Sequence, residues 1–191
     1  MAEKQANNYK KGLTLVFTGE GKGKTTAAFG LALRAFGRRF RVLILQFIKG
    51  GRDSGELYAL QKLSEISETT DNFGYIEIRQ LGEGFTKKGS KTENEHKKAA
   101  INALNQAMKE VTSGNWDMVI LDEILYAAKF GLLSEDDIFS LIDKKTENIH
   151  LVLTGRNASE AIINKADLVS DIKCVKHPFE NGIAAQAGIE F

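Results

Sequence analysis

Thr18-Gly19-Glu20-Gly21-Lys22-Gly23-Lys24-Thr25-Thr26 is the stretch whose reading decides the fold. Leu13-Thr14-Leu15-Val16-Phe17 leads into it, an apolar and β-branched run of the kind that forms a buried parallel strand. Ala27 to Phe36 follows, a run of helix formers. Strand, glycine-rich turn, Lys-Thr and helix together are the context a phosphate-binding P-loop requires. Glycines let successive backbone N–H groups point inward, and the helix N-terminus adds partial positive charge. Lys24 would then reach phosphate oxygens and the Thr25 hydroxyl would ligate Mg²⁺.

The spacing is a variant. The usual P-loop has glycine five residues before Gly23, where this chain has Thr18, and its first glycine is Gly19. The loop is also unusually basic, with Lys22 and Lys24 flanking Gly23. A tight strand-to-helix turn with incidental lysines is the plain alternative, and the flanking strand and helix argue against it.

Moving outward, Gly37 is the expected helix stop. Arg41 to Phe47 is a second buried strand, followed by a polar turn and a short helix over Gly55 to Leu63 with Leu57, Leu60 and Leu63 on one face. Tyr75 to Arg79 alternates like a half-exposed strand and opens into a loop carrying Gly82, Gly84, Phe85 and Gly89. Glu93 to Val111 is a long amphipathic helix, with Ala100, Ile101, Leu104, Ala107, Met108 and Val111 as its apolar stripe. His96 falls on the polar side.

Met118 to Glu123 is a fourth strand ending in two carboxylates, and Ser134-Glu135-Asp136-Asp137 is a capping box for the next helix. His150 to Gly155 is a fifth strand. A short helix at Ser159 to Ala166 and a last strand within Leu168 to Val175 complete the pattern. Strands alternating with helices predict one α/β domain over residues 13–191, a mostly parallel sheet with helices on both faces. Residues 1–12 carry no fold signal and are expected to be a flexible tail, or an arm that orders over a nucleotide or partner subunit.

Ligands in such sheets bind beyond the carboxyl ends of the strands. Three groups converge there: the glycine-rich loop, Asp122-Glu123, and the loop around Phe85. Apolar residues followed by Asp-Glu form a Walker B pattern, in which a carboxylate holds nucleotide-bound Mg²⁺. Glu123 is alternatively the base that activates water in an ATPase. Arg156 is either a phosphate contact or a solvated arginine beside a helix cap. The three histidines (His96, His150, His177) show no metal-ligand spacing and receive no catalytic role.

Composition sets the class. The chain has 191 residues, 42% hydrophobic and 27% charged, which is ordinary for a soluble globular domain. A formal net charge of +1 argues against bulk nucleic-acid binding. The single cysteine, Cys174, cannot form an internal disulfide, which fits a reducing cytoplasm. Its apolar neighbours Ile172 and Val175 predict buried filler. No apolar run approaches the roughly 20 residues of a membrane span.

A joint pattern then emerges. Val16 to Gly30, Gln46-Phe47-Ile48-Lys49-Gly50, Gly84-Phe85-Thr86, Leu121-Asp122-Glu123, Thr154-Gly155-Arg156, Ala166 to Val169, Val175 to Phe179 and Gly182 to Phe191 occur in that order. Together they resemble the corrinoid adenosyltransferases of the CobA/CobO/BtuR type, over about residues 13–191. The resemblance implies a RecA-like P-loop fold and transfer of the 5′-deoxyadenosyl group of ATP to Co(I) of a reduced corrinoid. The corrinoid would be cob(I)alamin or cob(I)yrinic acid diamide. Cobalt attacks the ribose 5′-carbon and the whole triphosphate leaves. Such a leaving group needs charge neutralisation rather than a general base.

By the family's pattern, Gly19, Glu20, Gly21, Lys22, Gly23, Lys24, Thr25 and Thr26 hold the triphosphate, with Arg156 beside them. Lys24, Thr25 and Glu123 carry catalysis. Thr25, Asp122 and Glu123 bind Mg²⁺ or Mn²⁺, and Phe85 and Thr86 meet the corrinoid. An apolar wall at Phe85 would help cobalt lose its lower axial ligand. One position departs: many members carry tryptophan directly after Gly-Phe-Thr, and this chain has Lys87. Implied partners are an electron-donating flavoprotein and a second copy of the chain in a cytoplasmic homodimer, with neither nucleic acid nor membrane. Two rivals remain: a RecA-like P-loop ATPase, which would release phosphate, and a non-catalytic corrinoid carrier, which would bind without turnover.

Overall fold

A computed structural model describes residues 11–49, 54–67, 72–84 and 92–190. Six strands form a single, wholly parallel sheet: β1 (Thr14–Thr18), β2 (Arg41–Gln46), β3 (Tyr75–Gln80), β4 (Met118–Asp122), β5 (His150–Thr154) and β6 (Leu168–Asp171). Their order is β3-β2-β4-β5-β1-β6. The strand feeding the glycine-rich loop and the strand ending in Asp122 are therefore separated by β5.

The inner strands are covered on both faces, and alternate residues serve different helices. Val42, Ile44, Met118, Ile120 and Val152 pack with α1 (Lys24–Phe36) and Leu60 of α2 (Gly55–Ser67). Leu43, Leu45, Val119, Leu121, Leu151 and Leu153 pack on the other side with α3 (Glu93–Thr112), α4 (Ile124–Lys129), α5 (Glu135–Lys144) and α6 (Glu160–Lys165). This is why the strands read as unbroken apolar runs rather than as alternation. Each fully buried Leu or Ile contributes about 1.5–3 kcal/mol, so the sheet is the stable base on which the site is mounted. β3 lies at an edge, which explains its half-exposed pattern.

Several expectations shift. α2 runs on to Ser67, and of its three leucines only Leu60 is buried. The helix ending at Phe36 has Gly37 in a right-handed conformation; the left-handed residue of that turn is Arg39, at φ 65°. Ile101 is exposed and Ala103 takes its place in the core, because α3 meets its neighbours through small residues. His96 is 4% exposed rather than on the wet side, and its Nε2 has no partner among the described residues. Cys174 is exposed, since the chain beyond β6 runs along the surface instead of re-entering the core. The expected arm at residues 1–12 falls mostly outside the described residues. Gly12 donates its N–H to Glu147 O at 2.7 Å, and Lys11 lies 3.6 Å from Asp167.

Candidate active site

The glycine-rich loop leaves β1 at Thr18 and enters α1 at Lys24. Gly19 and Gly23 have φ of 102° and 106°, in the left-handed region that favours glycine. Close packing fixes the outer side of the loop. Gly21 donates its N–H to Ile172 O at 2.7 Å, and a Cβ on Gly21 would lie 2.6 Å from Lys173 O. α1 begins on Gly23 with no side-chain cap and no acidic residue in its first turn. Its leading N–H groups and the positive end of its dipole are thus left for a ligand.

Lys24 donates its ammonium to Gly19 O at 2.7 Å and Gly21 O at 2.5 Å, so it folds back over its own loop. Burial, then the nearby Arg156 guanidinium, pushes its pKa below the usual lysine value. Lys22 is exposed and ion-pairs with Glu190 near the C-terminus. Arg156 donates to Glu20 at 2.7 Å, and Lys129 stands 3.9 Å from the same carboxylate. The loop's one acid therefore gathers two cations beside the glycine-rich turn. Gly155 takes φ 144° directly before Arg156, and a Cβ there would meet Leu125 Cβ and Tyr126 N at 2.7 Å. That close approach locks the end of β5 against α4.

Asp122 is wholly buried, and its carboxylate is an acceptor for three side chains. Thr25 Oγ1 and Thr154 Oγ1 each donate to Oδ1 at 2.8 Å, and Gln46 Nε2 donates to Oδ2 at 2.9 Å. Lys49 Nζ lies 4.0 Å from Oδ2. Glu123 differs from its neighbour in every respect. It sits at φ 64°, ψ 19° as the uncapped start of α4, with its N–H donated to Thr154 Oγ1 at 2.9 Å. Its Oε2 is buried with no partner among the described residues. Burial, reinforced by the adjacent Asp122 charge, raises its pKa to about 7, against the pull of Lys49, Lys24 and Arg156. A buried carboxylate oxygen with no donor among the described residues invites a cation or a proton.

The structure thus brings together Gly19 to Thr26, Asp122, Glu123 and Arg156. Thr26 and Glu20 are exposed at its rim. Phe85 and Thr86 lie outside the described residues, as does Lys87. Their stem is described: Leu81, Gly82 and Gly84 donate N–H groups to Gln46 O, Lys49 O and Ile48 O at 2.9, 3.3 and 2.9 Å. Sequence reasoning missed Gln46, Gln80 and Thr154. The available signal was their shared position, each being the polar last residue of an otherwise apolar or alternating strand.

Known proteins resemble this chain along its length. Residues 10–191 match the family model described as ATP:corrinoid adenosyltransferase BtuR/CobO/CobP. The corrinoid adenosyltransferase of Sinorhizobium sp. is 36% identical over 203 residues, covering 100% of this chain and 89% of that protein. The Escherichia coli K12 corrinoid adenosyltransferase is 33% identical over 95% of this chain and 87% of its own length. Corrinoid adenosyltransferase CobA of Salmonella typhimurium is 36% identical, again over 95% and 87%. With an open, basic glycine-rich loop beside Asp122 and Glu123, and a family match spanning nearly every residue, the chain belongs to the ATP:corrinoid adenosyltransferases.

Proposed function

We propose that this protein transfers the 5′-deoxyadenosyl group of ATP to the Co(I) centre of cob(I)alamin or cob(I)yrinic acid diamide. A cobalt–carbon bond forms at the ribose 5′-carbon as the 5′ C–O bond breaks, and triphosphate leaves with the electron pair. The observation that carries this reading is the uncapped start of α1 with Lys22, Lys24 and Arg156 around it. Those groups match a departing polyanion, and fixed donors aimed at developing charge are the largest common source of rate enhancement. Lys24 would exchange the carbonyls of Gly19 and Gly21 for phosphate oxygens.

The residues present fit Mg²⁺ or Mn²⁺. Two carboxylates and a hydroxyl suit an ion commonly held by one or two carboxylates plus substrate phosphates, and Glu123 Oε2 awaits a partner. Thr25, Glu123 and Asp122 would hold it, Asp122 largely through the hydroxyl of Thr25. When bound, the ion supplies further charge neutralisation to the triphosphate. Phe85 and Thr86 would meet the corrinoid, and the stem that precedes them, Leu81–Gly84, is tied by hydrogen bonds to the chain after β2. The enzyme acts as a cytoplasmic homodimer, and a flavoprotein donates the electron that makes Co(I). No described helix is long and apolar enough to cross a membrane.

The decisive experiment supplies ATP, Mg²⁺ and chemically reduced cobalamin, then identifies the products. Triphosphate and a cobalt–carbon spectrum are expected. Orthophosphate released without corrinoid would favour an ATPase, and tight corrinoid binding without turnover a carrier. Glu123→Gln should depress transfer at least tenfold and weaken Mg²⁺ dependence in step, by the magnitudes usual for groups at such sites. If it instead removed only a corrinoid-independent hydrolysis, Glu123 would be a hydrolytic base.

A further inference from the structure

The sheet carries a transverse polar row that ends at the carboxylate pair. Gln80, Gln46 and Asp122 are the last residues of β3, β2 and β4, and Gln46 stands in register with both of the others. Gln46 is 2% exposed and Asp122 is 0% exposed, so bulk solvent reaches neither side chain. Gln80 Nε2 donates to Gln46 Oε1 at 3.1 Å, and Gln46 Nε2 donates to Asp122 Oδ2 at 2.9 Å. Leu81, which begins the stem after β3, donates its N–H to Gln46 O at 2.9 Å.

An amide has two unlike ends. With its NH₂ toward Asp122 it satisfies a carboxylate lone pair; with its carbonyl there, two acceptors would face each other in a dry site. Asp122, an acceptor only, selects the first, and Gln80 reinforces it by placing a donor on Gln46 Oε1 on the far side. Asp122 then has donors on both oxygens, two on Oδ1 and one on Oδ2, which sets its rotation against Thr25.

We propose that Gln46 is a positioning residue for the metal-binding carboxylates, and that Gln80 acts through it by holding its amide in the direction that Asp122 requires. The relay sets how much Mg²⁺ strengthens ATP binding. It rests on the reading that Thr25, Asp122 and Glu123 hold the ion. Partners in the outer shell of a metal site commonly change metal affinity by about 10- to 100-fold when removed.

The test is calorimetric titration of the full-length protein with ATP, once in EDTA and once with excess Mg²⁺. A count of free Mn²⁺ by electron paramagnetic resonance gives a second, activity-free readout. Gln46→Leu should lower the Mg²⁺-dependent gain about tenfold and leave ATP affinity in EDTA unchanged. Gln80→Leu should lower it by a smaller factor, about threefold, and the double variant should match Gln46→Leu alone, since one residue acts through the other. Gln80→Glu separates orientation from charge. Added negative charge alone would strengthen cation binding, whereas an acceptor facing Gln46 Oε1 turns the amide and weakens binding about tenfold. Should Gln46→Leu fail to fold, the two Gln80 variants decide the matter.

Equal losses in EDTA and Mg²⁺, additive single effects, or tighter metal binding in Gln80→Glu would each overturn the relay. A wild-type protein whose ATP affinity ignores Mg²⁺ would overturn the metal assignment and the relay together. Wild-type dependence that survives unaltered in every variant would overturn the relay alone.

Discussion

Among the described residues, four α-helices begin on a hydroxyl and two do not. Ser54, Thr92, Ser134 and Ser159 each accept an N–H from the first turn of α2, α3, α5 and α6. Thr92 and Ser134 form complete capping boxes with Glu95 and Asp137. α1 and α4 start instead on Gly23 and Glu123, both left-handed and neither supplying a cap. All the residues assigned to phosphate and metal lie at or beside these two open starts. A helix end closed by its own sequence contributes stability, and one left open contributes a site. The difference is visible locally, without reference to any relative.

The largest expected break of this contrast is at the open start of α1. Lys24→Ala should lower adenosyl transfer by about 10²-fold or more while leaving the melting temperature unchanged, because the ammonium is held only by loop carbonyls. Transfer rates and thermal melts on the same preparation check both halves. Near-wild-type transfer would mean that this helix start is merely uncapped.

A closed start should show the reverse. Ser134→Ala removes the α5 cap and should cost about 1 kcal/mol, a fall of roughly 2–4 °C for a chain of this size, with the KM for ATP untouched. A change in KM without a change in melting would erase the distinction between the two kinds of helix start.

The smallest effect lies at the amino end of the sheet, far from either kind. His150 Nδ1 accepts the Leu13 N–H at 3.1 Å. Burial, then the Lys145 charge, lowers its pKa below the usual 6.5, with Asp117 opposing. A base depressed in the folded state contributes stability that is fully present above pH 6.5 and lost as the pH falls through the lower folded value. Melting temperature should therefore decline on acidification below about pH 6.5, less steeply in His150→Gln. The half-exposed ring keeps this effect below that of Ser134→Ala. An unchanged slope in His150→Gln would assign the decline to other groups.

Most of the fold was legible because β1, β2, β4 and β5 are buried on both faces and so carry continuous apolar runs. α4 was not. It is six residues long and starts on a strained glutamate, so neither period nor cap announces it. His96 was misplaced because a helical wheel knows the face of α3 but not how far its neighbours wrap around it. Cys174 was misplaced because two apolar neighbours resemble a strand even where the chain runs exposed beyond β6. In the site, Gly19 to Thr26 and Asp122-Glu123 were legible as local patterns. Gln46, Gln80 and Thr154 were not, since their meaning depends on which strand ends become neighbours, and strand order is not written in any one segment.

That order also governs assembly of the molecule during its synthesis. The strand that launches the phosphate loop leaves the ribosome early, yet both of its neighbours, β5 and β6, come from residues 150–171. Until that stretch and the Ile172 after it emerge, β1 has two bare edges and Gly21 lacks its backbone partner. A nascent chain halted after β4 would own every phosphate-loop residue and both terminal carboxylates and still lack the scaffold to use them. Pairings this distant in sequence make for slow folding with strand edges open to misassociation. The scaffold of the glycine-rich loop is therefore complete only once β5 and β6 have docked against the first strand.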